Sequence, residues 1–437
     1  MTELKRALTT FDLTMIAIGS TIGSGIFLTP SSIAQVLQTP FLIILAWVIG
    51  GLMALSGALT YAELGAMMPQ AGGVYVYLTR AYGGLAGFLY GWAYFLVVNT
   101  GGIAALSIAF ATYFGYFVPL DPVGIKLAAI AGLAVVTTIN ILGVKAGGLF
   151  SDIFTILKLG AIAGIIVAGL GWGSGATLNF APSGGSFPHS LGSALGIAMV
   201  GVLWSYGGWQ HATFAAGEAR DPGRSIPLAV LLGAGSVTVV YILTVVAYLF
   251  LLTPEQMAAS PRLATDAIGV ILGPAGAGFI AAAIFVSTFG TTGIYTLTAP
   301  RIYFAMAKDG VFFKKVAEIH TGFHTPMNAI LIQSLWAGVL ILLWGTFESL
   351  ISYVVFTDWI FFGLAAASVF VFRRRTPGAE RPYRTIGYPV TPLFFVAVSG
   401  WFVLNTLFEK PAQAWAGIGF LALGVPVFFY WKRKGSR

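Results

Sequence analysis

Two charged side chains stand where charge is expensive. Lys158 lies about nine residues into a long apolar run, roughly 13 Å along a helix at ~1.5 Å per residue. Asp358 lies about ten residues into another such run. An ionisable group at that depth in hydrocarbon is costly, so each is a candidate for function. For Lys158 the structural alternative is a side chain that snorkels its ammonium outward. Asp358 has three readings: a proton carrier, a partner for a cationic ligand side chain, or an inert partner of a neighbouring helix.

Two other runs carry backbone chemistry instead. Residues 18–27 read Ile18-Gly19-Ser20-Thr21-Ile22-Gly23-Ser24-Gly25-Ile26-Phe27, with Gly23 and Gly25 flanking Ser24 near the middle of an apolar stretch. Glycine costs up to ~1 kcal/mol in a helix interior, and this pair invites unwinding. Unwound backbone at membrane depth is tolerated only where something else satisfies its N–H and C=O groups. A ligand can do so: the half-helix from Ile26 aims its first amides at a negative group. Residues 203–209 repeat the theme as Leu203-Trp204-Ser205-Tyr206-Gly207-Gly208-Trp209. The bland alternative is close helix packing, since GxxxG pairs also occur at Gly19/Gly23, Gly160/Gly164 and Gly269/Gly273.

The elements that must hold these groups are membrane helices. Of 437 residues, 57% are hydrophobic and 9% charged, which excludes a soluble enzyme or a disordered chain. Residues 13–62, 81–120, 159–217, 225–254, 267–300, 319–347, 385–408 and 411–431 contain no Asp, Glu, Lys or Arg. A crossing needs ~20 apolar residues. The pattern predicts twelve spans: 11–35, 40–68, 84–117, 123–143, 149–171, 191–216, 226–252, 273–306, 326–344, 348–372, 387–408 and 411–431. The two interruptions fall in spans 1 and 6, five apart, as an inverted repeat of five plus five helices requires. The expected organisation is a cytoplasmic N-terminus (1–10), a first repeat (11–171), a second repeat (191–372), spans 11 and 12 (387–431) and a cytoplasmic C-terminus (432–437). Period-two alternation is missing from the runs, which argues against a β-barrel.

Positive residues orient the chain. With the N-terminus inside, nineteen of the 23 Lys and Arg fall in inside segments and three in outside loops, leaving Lys158. Both termini are therefore expected in the cytoplasm of a multi-pass cell-membrane protein. The net charge of +8 is then topology facing anionic lipid rather than a nucleic-acid footprint. The chain has no cysteine and four histidines. His320 and His324 have metal-like spacing but sit in a loop without a carboxylate pair, so no metal and no cofactor is expected.

The motifs in order resemble the amino acid–polyamine–organocation superfamily, and within it the L-type amino acid transporters. The marks are Gly23-Ser24-Gly25-Ile26-Phe27, Glu63-Leu64-Gly65 with Pro69 and Gly72-Gly73, and Tyr206-Gly207-Gly208-Trp209. Glu218-Ala219-Arg220-Asp221-Pro222 with Ile226-Pro227, and Arg373-Arg374-Arg375 through Glu380-Arg381-Pro382-Tyr383, complete the set. The resemblance covers nearly the whole chain. It implies an all-α membrane protein of LeuT type, with discontinuous helices 1 and 6. It also implies that the α-carboxylate of an L-amino acid meets amides at Ser24 and Gly25, between Gly23 and Ile26. The α-ammonium would meet carbonyls around Ile22 and at Trp204, Ser205, Tyr206 and Gly207.

Further roles follow from the same resemblance. Lys158 falls where sodium-coupled relatives bind a cation between spans 1 and 8, so it reads as a tethered cation that holds the span 1 break. Ser287, Thr288, Thr291 and Thr292 are its hydroxyl partners on span 8. Lowered by burial, the same lysine could instead carry a coupling proton. Asp358 departs from the family, whose members have a neutral residue beside the tryptophan. Trp204 would lie over the substrate as an outer lid, Trp359 would line the side-chain pocket, and Asn99 would either touch the pocket or bond between helices. Glu63, Glu218, Asp12 and Arg301 read as ion pairs near the cytoplasmic ends. No cysteine is present for a disulfide to an accessory glycoprotein. The expected activity is sodium-independent transport of small or medium neutral amino acids by alternating access, in exchange mode; proton-coupled symport is the alternative. An intramembrane enzyme would need clustered nucleophiles, a channel would lack an occluding lid, and a receptor would show seven spans.

Overall fold

The computed structural model describes residues 4–173, 190–260, 262–343 and 347–435, with side chains except at 347–353, 413 and 435. Helices dominate the described residues, and the sole β feature among them is an isolated bridge between Leu8 and Ala219. Among the described residues, ten helices are long and apolar enough to cross a membrane, and two shorter apolar helices, Leu191–Tyr206 and Met327–Leu343, lie at the expected places of spans 6 and 9. The span edges predicted from the uncharged runs mostly agree with the helices within a few residues. Span 2 is Pro40–Met67, span 4 is Pro122–Ile141, span 5 is Val144–Trp172 and span 7 is Pro222–Leu251.

Local sequence explains where these helices start. Thr9 caps span 1 in a reciprocal box with Asp12: the Thr9 amide donates to Asp12 Oδ2 (2.6 Å) and the Asp12 amide to Thr9 Oγ1 (3.3 Å). Thr39-Pro40, Asp121-Pro122 and Thr253-Pro254 each pair an N-cap oxygen with a proline at the first helical position. Span 8 runs Leu263–Thr298 and Pro300–Lys308, with Gly273 at φ +61° breaking it ahead of Pro274. The predicted start of span 8 at 273 therefore marks the main helix, and the preceding residues form a shorter helical segment.

Spans 1 and 6 are broken where the glycines stand. Span 1 is Thr10–Thr21 followed by Gly25–Leu37, and span 6 is Leu191–Tyr206 followed by a short turn of helix, His211–Phe214. Span 3 carries a distortion of another kind. Its helix Gly84–Ala93 passes through a π turn at Tyr94–Val98 before resuming as Asn99–Phe114, with the Asn99 amide donating to the Tyr94 carbonyl five residues back. Such insertions gather at functional sites. Span 1 packs against spans 5 and 7, the second half of span 1 lies along span 6, and span 3 packs against span 8.

Candidate functional site

The first half of span 1 ends with carbonyls that have no continuing helix to serve, and side chains from three other spans take them up. Lys158 of span 5 is fully buried. Its ammonium donates to the carbonyls of Gly19 (2.8 Å) and Ile22 (2.7 Å) and to the hydroxyl of Thr291 (2.7 Å). Thr291 Oγ1 lies 3.0 Å from the Gly19 carbonyl and 2.9 Å from that of Ile22, and its single proton can serve one of them at a time. Ser287 Oγ donates to the Gly23 carbonyl at 3.1 Å. The Tyr241 hydroxyl of span 7 donates to the Thr21 carbonyl at 2.9 Å. A cation at a helix C-terminus is the favourable electrostatic match. Thr288 and Thr292 do not join this cluster; each hydroxyl donates back into its own helix, to Ile284 and Thr288 respectively.

The second half of span 1 begins at Gly25, so the amides of Ser24, Gly25 and Ile26 open its first turn, where N–H groups lack intrahelical acceptors. Across from them, Leu191–Tyr206 ends and leaves its last carbonyls free of the helical ladder. The two breaks touch. Ser20 Oγ reaches the Gly208 carbonyl at 2.8 Å and the Ile16 carbonyl at 2.5 Å. Gly208 has φ +135°, and a Cβ there would lie 2.5 Å from the Ser20 carbonyl carbon. A Cβ on Gly25 would lie 2.6 Å from Ser205 Cα. Thr29 Oγ1 and Ser205 Oγ share a hydrogen bond of 2.9 Å. These glycines permit backbone contact between two spans. By contrast, Gly160, Gly164, Gly269 and Gly273 meet nothing within 4 Å, so those GxxxG pairs make no close packing among the described residues.

A cavity of about 20 Å³, room for about one water, adjoins the span 6 break. Its lining includes Tyr94, Asn99, Trp204, Gly207, Gln210, Tyr295, Asp358 and Trp359. Trp204 also reaches Ser24 Oγ with Nε1 at 3.4 Å. Of the residues picked from sequence, Trp204, Gly207, Asn99, Asp358 and Trp359 are thus brought together, with Ser24 held against Trp204. Asn99 does both things allowed to it: it lines the cavity and donates from Nδ2 to Gln333 Oε1 of span 9 at 2.9 Å. The Tyr206 side chain points elsewhere, donating to the Trp47 carbonyl (3.0 Å) and packing on Trp47 and Tyr241. Only its backbone stays at the break. The Ile22 carbonyl is engaged by Lys158 and within reach of Thr291.

Sequence reasoning missed a buried triangle beside the cavity. Thr298 Oγ1 donates to the Ile294 carbonyl (2.8 Å), so it accepts from His211 Nδ1 (2.6 Å). His211 Nε2 is then bare and accepts from the Tyr94 hydroxyl (3.1 Å). This ties the segment after the span 6 break to spans 3 and 8. The i and j positions are far apart in sequence, and no local spacing announces them.

The expected ion pairs lie at helix ends. Arg301 makes a two-pronged pair with Glu218, Nε to Oε2 at 2.7 Å and Nη2 to Oε1 at 2.8 Å, both side chains buried. The Glu218 carbonyl also accepts from the amides of Ala7 (2.9 Å) and Leu8 (3.0 Å), strapping the N-terminal segment down. Glu63 receives Arg373 (2.7 Å), Arg381 (3.3 Å) and the Thr385 amide (2.7 Å). Asp12 serves as the capping carboxylate of span 1. His320 Nδ1 accepts from the amides of Gly322 and Phe323, both at 3.2 Å, which gives it a turn-forming role. A larger cavity of about 550 Å³ near Arg6, Arg80 and Lys308 contains none of the break residues.

Comparison of the sequence with known proteins points to membrane transport. The profile of the family described as "Amino acid permease" matches residues 8–429. The serine/threonine exchanger SteT of Bacillus subtilis is 32% identical, the alignment covering 97% of this chain and 96% of the relative. The human b(0,+)-type amino acid transporter 1 is 31% identical over 100% of this chain and 91% of its own length. The large neutral amino acids transporter small subunit 2 of Oryctolagus cuniculus is 31% identical over 96% and 79%.

Proposed function

The chain belongs to the amino acid permease family, a family of membrane transporters and not of enzymes, and from that premise we propose a sodium-independent carrier of L-amino acids. Small and medium neutral amino acids are the favoured substrates, and exchange by alternating access is the mode. The reading includes twelve spans in the LeuT arrangement, two inverted repeats of five helices at 11–171 and 191–372, and both termini in the cytoplasm of the cell membrane. The observation that carries it is the pair of facing breaks. The amides opening Gly25–Leu37 suit a carboxylate, and the carbonyls ending Leu191–Tyr206 suit an ammonium. A zwitterion matches both ends at once.

Sodium independence rests on Lys158. Its ammonium already occupies the oxygen cluster of Gly19, Ile22 and Thr291, which leaves that cluster no need of a soluble cation. Exchange is supported by the bacterial relative, whose name describes a serine/threonine exchanger. The cavity holds about one water as it stands, so substrate entry requires movement of its walls, with Trp204 of the lid and Trp359 of the pocket the half- and fully buried covers. The sequence offers no cysteine for a disulfide to an accessory subunit, and a partner of that kind is not supported.

The experiment is uptake by purified protein in liposomes. Preloaded L-serine is expected to accelerate entry of labelled L-serine, and replacing sodium with a large organic cation is expected to leave entry unchanged. Proton-coupled symport is the second reading, favoured by Asp358, whose Oδ1 is buried without a hydrogen-bond partner at the cavity. Uptake driven by an inward proton gradient and indifferent to internal serine would decide for symport.

A further inference from the structure

Two acceptor oxygens lining the cavity beside the span 6 break have no hydrogen-bond partner. Asp358 Oδ1 is buried and has no hydrogen-bond partner. Asn99 gives its Nδ2 to Gln333, and its Oδ1 is likewise buried without a partner. Both residues line the same space, and no Lys, Arg or His is among the described residues lining it. Carboxylate and amide oxygens accept hydrogen bonds and cannot donate them while the carboxyl is ionised. The remaining walls include the rings of Trp204 and Trp359 and the phenols of Tyr94 and Tyr295. An ionised carboxylate left unpaired in a membrane interior is costly. Two acceptor oxygens among aromatic faces suit a cation with several N–H donors.

We propose that Asp358 is a specificity-determining residue that admits amino acids with a cationic side chain alongside neutral ones. The reading rests on the carrier function above and extends its substrate class. The backbone breaks hold the α-carboxylate and α-ammonium, as they would for any amino acid. Asp358 then faces the variable end, with the Asn99 oxygen as second acceptor and the tryptophan rings as cover. The cavity has to widen for any substrate, and a short cationic side chain demands the least widening, so ornithine is favoured over arginine.

The test uses the full-length protein in liposomes loaded with L-serine, with labelled L-ornithine or L-serine outside. Wild-type protein is expected to exchange both. Asp358→Asn is expected to raise the ornithine KM relative to the serine KM by about tenfold or more, the loss of one charge-assisted contact. Asp358→Glu keeps the charge and is expected to retain ornithine exchange, which covers the case in which the Asn variant fails to fold. Four results overturn the proposal. Wild-type liposomes that exchange serine but neither carry ornithine nor show inhibition by it defeat it and leave the carrier reading intact. So does an Asn variant with an unchanged ratio of the two KM values. An Asn variant that loses only proton-driven accumulation makes Asp358 a proton carrier instead. Liposomes that exchange no amino acid at all defeat the carrier reading and this one with it.

Discussion

Replacing Lys158 with Met removes the charge at nearly constant length and isolates what the ammonium does for the span 1 break. Three contacts vanish, to the carbonyls of Gly19 and Ile22 and to Thr291 Oγ1. Thr291 has one proton and can satisfy one of the two carbonyls, so the other is left buried and unpaired, at about 1–3 kcal/mol. The helix end also loses a favourable cation, a further ~0.3–2 kcal/mol. Against both stands the cost of holding an ammonium in a dry interior, a few kcal/mol that the variant recovers. The opposing signs make global stability a poor readout. The arrangement of the break is the better one. If the orphaned carbonyl pulls the break away from its binding geometry by 1–3 kcal/mol, the competent fraction falls and apparent affinity falls with it, by about 5- to 150-fold. The assay is the KM for L-serine exchange in liposomes, with folding checked by size-exclusion profile. A Lys158→Met carrier that folds and keeps KM and maximal rate within about twofold refutes the reasoning. Arg at this position is expected to restore the charge but not the geometry, since its planar fork cannot direct three donors as an ammonium does.

The glycines of the breaks predict a sharp contrast. Gly25→Ala and Gly208→Ala should abolish exchange, since the added methyl falls 2.6 Å from Ser205 Cα and 2.5 Å from the Ser20 carbonyl carbon, while Gly160→Ala, with open space around it, should exchange at the wild-type rate. At the buried Glu218–Arg301 pair, Glu218→Gln should cost about 3–5 kcal/mol by leaving an unmatched guanidinium, with thermal unfolding in detergent as the measure. Adding Arg301→Gln should recover part of that loss; strictly additive losses would mean the two side chains do not depend on each other. Trp204→Ala should raise the serine KM with the protein still folded, as removal of a cover over the cavity would; an unchanged KM would return Trp204 to ordinary packing.

The spans were legible in the sequence because hydrocarbon imposes a length and a composition that few other environments demand. Lys158 was legible for a related reason, as a charge deep in an apolar run whose other charge, Asp152, lies near its start. Its choice of Gly19 and Ile22 was not, because selecting those two carbonyls depends on how spans 1, 5 and 8 meet in space. Spacing placed Tyr206 at the break but could not say that its ring turns away to Trp47. The π turn at Tyr94–Val98 left no trace in an apolar run that reads as continuous helix. The long pairings of Asn99 with Gln333 and of His211 with Tyr94 and Thr298 are likewise products of the fold, formed between residues 234, 117 and 87 positions apart.

The contact between Ser20 and Gly208 has a mechanical consequence. Two hinges joined by a hydrogen bond and by bare backbone turn together, like a pair of scissor blades on one rivet. Neither broken span can shift at its break without straining that joint, so a displacement of one is passed to the other.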